Sequence, residues 1–281
     1  MNKLGFHCNR LHHIEERILS NGLRRGEFYN FPAEDLPELK RQIKRHDIAM
    51  SIHAPLVRPD WYPDPPTWTY LCNMEAEKRR LSLKMIELTL QQAVDFGADY
   101  VVVHYPSPVH DTDGADIDEL HSIAMDSAFQ VSRLGEKYGV EIHIEGFGPS
   151  PFLNTVFLNE VFGGFPSLKY CFDTGHLNME ARERGLDFCG FTEGLIGYIG
   201  SLHLWNNRGL ADYRAYRHIP VHPSQIPDEG WADVHAVIEI LWSSVESVIF
   251  ESSHDYPQEL GGYDYKEGVQ WVKQLVATLS S

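Results

Sequence analysis

Six short apolar runs in this sequence each end in an imidazole or a carboxylate. They are Ser51-Ile52-His53, Val102-Val103-His104, Ile142-His143-Ile144-Glu145, Cys171-Phe172-Asp173, Ser201-Leu202-His203 and Val248-Ile249-Phe250-Glu251. One such ending is easily chance, but six in succession are hard to explain by packing alone. Imidazole nitrogens and carboxylate oxygens bind divalent cations, and they also move protons near neutral pH. If the six converge, several like charges share one desolvated volume, which is costly unless a cation neutralises them. A bound divalent ion is the economical expectation. A mixed nitrogen and oxygen donor set suits Zn²⁺, Mn²⁺, Fe²⁺ or Co²⁺ better than Ca²⁺.

Convergence needs a scaffold. Strand-length apolar runs recur at Leu4–Cys8, Gly26–Phe31, Ala49–His53, Tyr100–His104, Val140–Glu145, Leu168–Asp173, Tyr198–Leu204 and Val248–Glu251. Helical periods separate most of them. Glu75 to Phe96 carries Leu81, Met85 and Leu88 at helical spacing and stops at Gly97; Asp116 to Tyr138 stops at Gly139. Glycine just past the last turn is a common helix stop. Tyr265 to Leu279 reads as a closing helix with Val269, Val272 and Val276 on one face. Eight strands alternating with helices predict an α/β chain folded as a single (β/α)8 TIM barrel over residues 1–281. A doubly wound sheet is the rival, but no GxGxxG or GxxxxGK phosphate loop supports it. The functional face of a barrel lies at the carboxyl ends of its strands, which is where the six endings fall.

Composition narrows the classes further. The chain is 43% hydrophobic and 23% charged, as in an ordinary globular protein, which argues against disorder or a coiled coil. A net charge of −16 repels a polyanion over most of the surface and disfavours a nucleic-acid partner, though a local basic groove stays open. Cys8, Cys72, Cys171 and Cys189 are scattered, with no CxxC pair, and read as reduced thiols of a cytoplasmic protein. Met1 to Arg10 lacks the apolar run of a signal peptide, and no stretch approaches the ~20 apolar residues of a membrane span, so no membrane partner is expected. The segment 58–69, Arg58 to Thr69, reads as a proline-rich, aromatic insertion after the third strand. It could cover the pocket or meet a second subunit of a homo-oligomer. His143 is in phase with Glu145 and is expected as a hydrogen-bonded histidine inside the barrel. His7 could line the pocket. His110 and His254 carry no motif and are expected to be solvated or helix-facing.

With these residues in this order, the sequence resembles the xylose-isomerase-like barrel superfamily. That group holds sugar isomerases and epimerases together with apurinic-site nucleases of the endonuclease IV type. The resemblance runs from about Leu4 to Leu279. It is carried by Phe172-Asp173-Thr174-Gly175-His176, by Leu202-His203-Leu204, and by Glu145 and Glu251. It implies a metal quartet of Glu145, Asp173, His203 and Glu251 and a divalent cofactor, Mn, Co, Mg or Zn. It also matches His53 and His104 to histidines that hold a further metal in the nucleases and bind substrate elsewhere. His176, Arg217 and His218 are expected on the substrate side, as are Trp205 and Arg208, which follow His203 closely.

The favoured activity is isomerisation or epimerisation of a small sugar or polyol. In it, Glu145 and Glu251 act as the catalytic pair that removes and returns a proton through an enediolate. The alternative is an apurinic-site phosphodiesterase with two or three zinc ions. Arg217-His218-Ile219-Pro220 resembles a nuclease stretch that begins Asp-Arg-His, but Tyr216 stands where that aspartate would be. A phenol is a poor ligand for a hard divalent ion near neutral pH.

Overall fold

The structure, a computed structural model, describes residues 3–106, 115–253 and 262–279. His110 and His254 lie outside the described residues. Eight parallel strands close into a barrel in chain order. They are β1 (Leu4–Cys8), β2 (Arg25–Phe28), β3 (Ala49–His53), β4 (Tyr100–His104), β5 (Glu141–Glu145), β6 (Leu168–Asp173), β7 (Ile199–Leu204) and β8 (Ser247–Phe250). Around them run α1 (Leu36–His46), α2 (Ala76–Phe96), α3 (Ile117–Tyr138), α4 (Thr155–Gly164), α5 (Thr174–Arg184), α6 (Phe188–Leu195), α7 (Leu210–Tyr216), α8 (Val234–Leu241) and α9 (Tyr265–Leu279). The chain is therefore the (β/α)8 barrel that its alternating runs predict. Among the described residues, no helix is long and apolar enough to cross a membrane.

Strand alternation divides the side chains between two cores. Val101, Val103, Ile142, Ile144 and Phe172 face the helices and join the large outer core. Tyr100, Val102 and Cys171 pack together as a separate small cluster. The interior around that cluster is polar for a barrel: Glu27, Ser51, His143, Ser201 and Ser247 are all buried. His143 behaves as its phase predicts. It lies 2.8 Å from the Ser201 hydroxyl and 2.8 Å from Glu141, and it stacks on Tyr100 at 4.0 Å. Strand register then sets the rim, pairing His104 with Glu145 and Asp173 with His203.

Two features differ from the sequence pattern. β2 ends at Phe28, three residues before the end of its apolar run: the Tyr29 amide still reaches the Cys8 carbonyl of β1, but Asn30 and Phe31 turn theirs to the Pro55 and Leu56 carbonyls in the loop after β3. The connection after β1 is a π-helical turn, Ile14–Ile18, followed by a short 3₁₀ turn. The insertion at 58–69 docks on its own barrel. Tyr62 is buried and donates to the Trp68 carbonyl (2.5 Å), and Thr69 donates to the His104 carbonyl (2.6 Å).

Gly139 ends α3 in the left-handed conformation (φ 64°), with open space where a Cβ would stand. Gly139→Ala should therefore cost only backbone strain, about 1 kcal/mol. The expected readout is a lower urea midpoint with an unchanged denaturant slope; an unshifted midpoint would contradict the assignment.

Candidate metal centre

The quartet Glu145, Asp173, His203 and Glu251 comes together at the carboxyl end of the barrel. One donor atom from each lies within 4.8 Å of the others. All four residues are buried. Nδ1 of His203 is 2.9 Å from Glu251 Oε2, 3.5 Å from Glu145 Oε2 and 3.7 Å from Asp173 Oδ2. Apart from that 2.9 Å approach, neither Nδ1 of His203 nor Oε2 of Glu251 has a hydrogen-bond partner, and Oε1 of Glu145 has none. Buried donors that face one another in this way fit a shared cation.

The Asp173-Thr174-Gly175-His176 segment explains how Asp173 is held. Asp173 ends β6 and caps α5, its Oδ1 accepting from the His176 amide (2.6 Å). Its Oδ2 accepts from the Trp205 indole N–H (2.8 Å). Gly175 is required here, since a Cβ would sit 2.2 Å from the Trp205 ring. The Thr174 hydroxyl donates to the Trp205 carbonyl (2.7 Å) and ties β6 to the end of β7. The motif is thus a helix cap and a ring-packing site that together fix Asp173 within the quartet.

Imidazoles surround Glu145. Its carboxylate lies 3.2 Å from His53, 3.6 Å from His104 and 3.5 Å from both His176 and His203. Burial pushes the Glu145 carboxyl up, but the charges of His203 and His104 and the pairing with His53 hold it below the usual carboxylate range. Glu251 is likewise driven up by burial and held well below its ordinary range by His7, His218 and His203. Asp173 moves the other way. Burial and the charges of Glu145 and Glu251 raise it well above the ordinary range, against the opposing effect of His203. A site with one acid forced toward protonation by its neighbours is a site short of positive charge. Burial lowers His104 to about 3 and His176 to about 4, against the opposing pull of Glu145 on both. A second set of donors, His53, His104 and Glu145, also lies within 4.8 Å.

Above the quartet opens a cavity of about 660 Å³. His53, His104, His176, Arg217, His218 and Glu251 line it. Thr67 and Trp68 of the insertion also reach it, as do His7, Tyr213 and Tyr216. His218 holds its place through Nδ1, 2.9 Å from the Glu251 carbonyl, and stacks on Trp205 at 4.0 Å.

Two expected substrate residues are placed elsewhere. Trp205 is buried behind Asp173 and His218 and does not line the cavity; its indole serves the acid, since the chain leaves the sheet after Leu204. Arg208 pairs with Asp212 (2.8 Å) one helical turn on and lies over the Trp231 ring, also outside the cavity lining. Asn9, His13, Arg17 and Tyr29 line the cavity without having been foreseen. They follow β1 and β2, whose apolar runs end without an acid or imidazole as their last residue.

The described geometry agrees with the comparisons. The chain belongs to the xylose isomerase-like TIM barrel family, whose model matches residues 12–275. No curated protein matches it in sequence. Among solved structures it is similar to a D-tagatose 3-epimerase-like protein, with a TM-score of 0.75, 18% identity, and 99% of this chain and 98% of that one covered. It is similar to an L-ribulose 3-epimerase (TM-score 0.70, 16% identity, 99% and 95% covered). It is also similar to the 3-keto-D-glucoside 4-epimerase of E. coli (TM-score 0.68, 15% identity, 98% and 100% covered). At these identities the likeness is one of fold.

Trp205→Phe should keep a ring against His218 while removing the N–H that holds Asp173. Affinity for a divalent ion, read by competition with a chelator, is expected to fall about tenfold, in line with losing an outer hydrogen bond to a ligand. Unchanged affinity would remove Trp205 from the centre.

Proposed function

We propose that this chain is a divalent-metal-dependent isomerase or epimerase of a small sugar or polyol. The observation that carries the reading is the convergence of Glu145, Asp173, His203 and Glu251 on one point, within 4.8 Å of one another, below an open polar cavity. The donor set of three carboxylates and one imidazole suits Mn²⁺, Co²⁺, Mg²⁺ or Zn²⁺. An ion held there would polarise a substrate carbonyl and acidify the neighbouring C–H. Sugar epimerases among the similar folds support a sugar as substrate.

The chain's own residues would divide the remaining work. Glu145 on β5 and Glu251 just past β8 reach the centre from separate parts of the rim. A carboxylate on either side of a bound sugar can exchange a proton with the carbon between them. One, as the carboxylate, would take the proton from the carbon beside the carbonyl; the other, carrying a proton, would deliver it to the opposite face, and exchange with solvent would restore the starting charges. His176, His218 and Arg217 sit where they can bind hydroxyl oxygens of the sugar. Trp68 and Phe147 offer apolar walls.

One observation favours a second reading. The His53, His104 and Glu145 trio could hold another ion, as in a two-metal phosphodiesterase. Metals counted per chain separate the two: near one equivalent supports the epimerase, and two or three zinc ions move abasic-site DNA to the front.

Glu145→Gln and Glu251→Gln should each slow turnover by about a hundredfold or more while sugar binding is largely retained. The measurement is solvent deuterium entering a ketose panel, with binding followed separately by calorimetry. Exchange at the wild-type rate in both variants would end the two-glutamate mechanism.

A further inference from the structure

Glu27 is wholly buried on β2, outside the ligand quartet, and the proposed proton transfer has no part for it. Its two oxygens face different ways. Oε2 accepts from the Ser51 hydroxyl (2.9 Å) and the Tyr100 hydroxyl (3.3 Å), and Tyr100 is in turn paired with Ser247. Oε1 lies 2.8 Å from Nε2 of His203. Apart from that approach, neither Oε1 nor Nε2 has a hydrogen-bond partner among the described residues. Arg25, two residues earlier on the strand, pairs with Asp99 (2.7 Å).

His203 therefore has a carboxylate at each end of its ring. Nδ1 faces Glu251, Glu145 and Asp173; among the described carboxylates, Nε2 faces Glu27 alone. A neutral imidazole has one N–H and one lone pair. A metal ligand must aim the lone pair at the ion, so the proton belongs on the other nitrogen. An ionised carboxylate is acceptor-only and can take that proton. The Cys171 thiol also lies near His203, grouped with it and Glu145 rather than with Glu27. The rings of His7 and His53, 6.2 and 6.0 Å away, flank the imidazole.

We propose that Glu27 is a positioning residue of the centre: it accepts the Nε2 proton of His203 and so fixes the tautomer and tilt that present Nδ1 to the ion. Ser51 and Tyr100 hold the other carboxylate oxygen and keep Oε1 turned to the histidine. The inference rests on the metal-centre reading above.

The test uses cadmium as the probe and histidine labelled for nitrogen NMR. In the wild-type protein, cadmium should couple to Nδ1 of His203 and the proton should appear on Nε2. Glu27→Ala should weaken cadmium binding about ten- to a hundredfold and broaden or shift the His203 signals. Glu27→Gln keeps an amide oxygen for His203, and the Ser51 and Tyr100 hydroxyls can turn to accept from its amide. It should recover much of the affinity, which a purely structural role would not require. Tyr100→Phe, which leaves the carboxylate in place with one fewer anchor, covers the case in which Glu27→Ala does not fold, and should weaken binding severalfold. Coupling through Nε2 in the wild type, or wild-type affinity in Glu27→Ala, overturns the inference while leaving the centre intact. Wild-type protein that takes up no cadmium, manganese, cobalt or zinc overturns the centre itself.

Discussion

The barrel rim gathers more negative charge than its burial tolerates. Glu145, Asp173 and Glu251 meet within a few ångströms in a volume from which water is largely excluded. The protein's own answer is a ring of imidazoles, with His53, His104, His176 and His203 around Glu145, and His7 and His218 beside Glu251. That answer is incomplete, since Asp173 is still driven toward its neutral form by the other two acids. The surrounding structure follows from this constraint. Caps, ring stacks and buried hydroxyls are spent on holding each acid at a fixed angle, because small displacements matter most where screening is weakest.

The barrel meets the constraint through register. Parallel strands deliver every second side chain inward, and closure brings strands distant in sequence to one axis. His203 on β7 meets Glu27 on β2 across the interior, although 176 residues separate them. Below the rim, serines, Tyr100 and His143 replace the branched aliphatics common inside such barrels. The floor is therefore able to hydrogen-bond, and the rim residues rest on directed contacts rather than on packing alone.

Much of this was legible from residue order. An apolar run closed by an acid or imidazole marks both the strand and its functional end, and the six such runs all lie at the rim. Glu27 was not legible in that way. It sits near the start of an apolar run that continues to Phe31, so nothing marks it as an ending, and its place is set by strand register, with His7 and Ser51 as its paired neighbours. Trp205 and Arg208 show the opposite limit. Residues just past a strand are expected to face the pocket, but here the indole turns sideways to Asp173 and the guanidinium finds Asp212 within its own helical turn. Side-chain partners of that kind depend on where the loop goes, and alternation says nothing about loops. The left-handed Arg217 (φ 62°) in the same stretch belongs to this class.

The ring around Glu145 bears on how such a site can change over generations. One carboxylate is shared by four histidines from β3, β4, α5 and β7, so replacing any member alters the electrostatic setting of the others. Residues in one network do not contribute additively. Single steps in the ring are thus poorly separable, and viable routes through it favour paired changes. Thr67, Trp68, Phe147 and Ser252 border the same cavity without belonging to that shared contact. Those positions are open to change while the ring stays fixed as a unit.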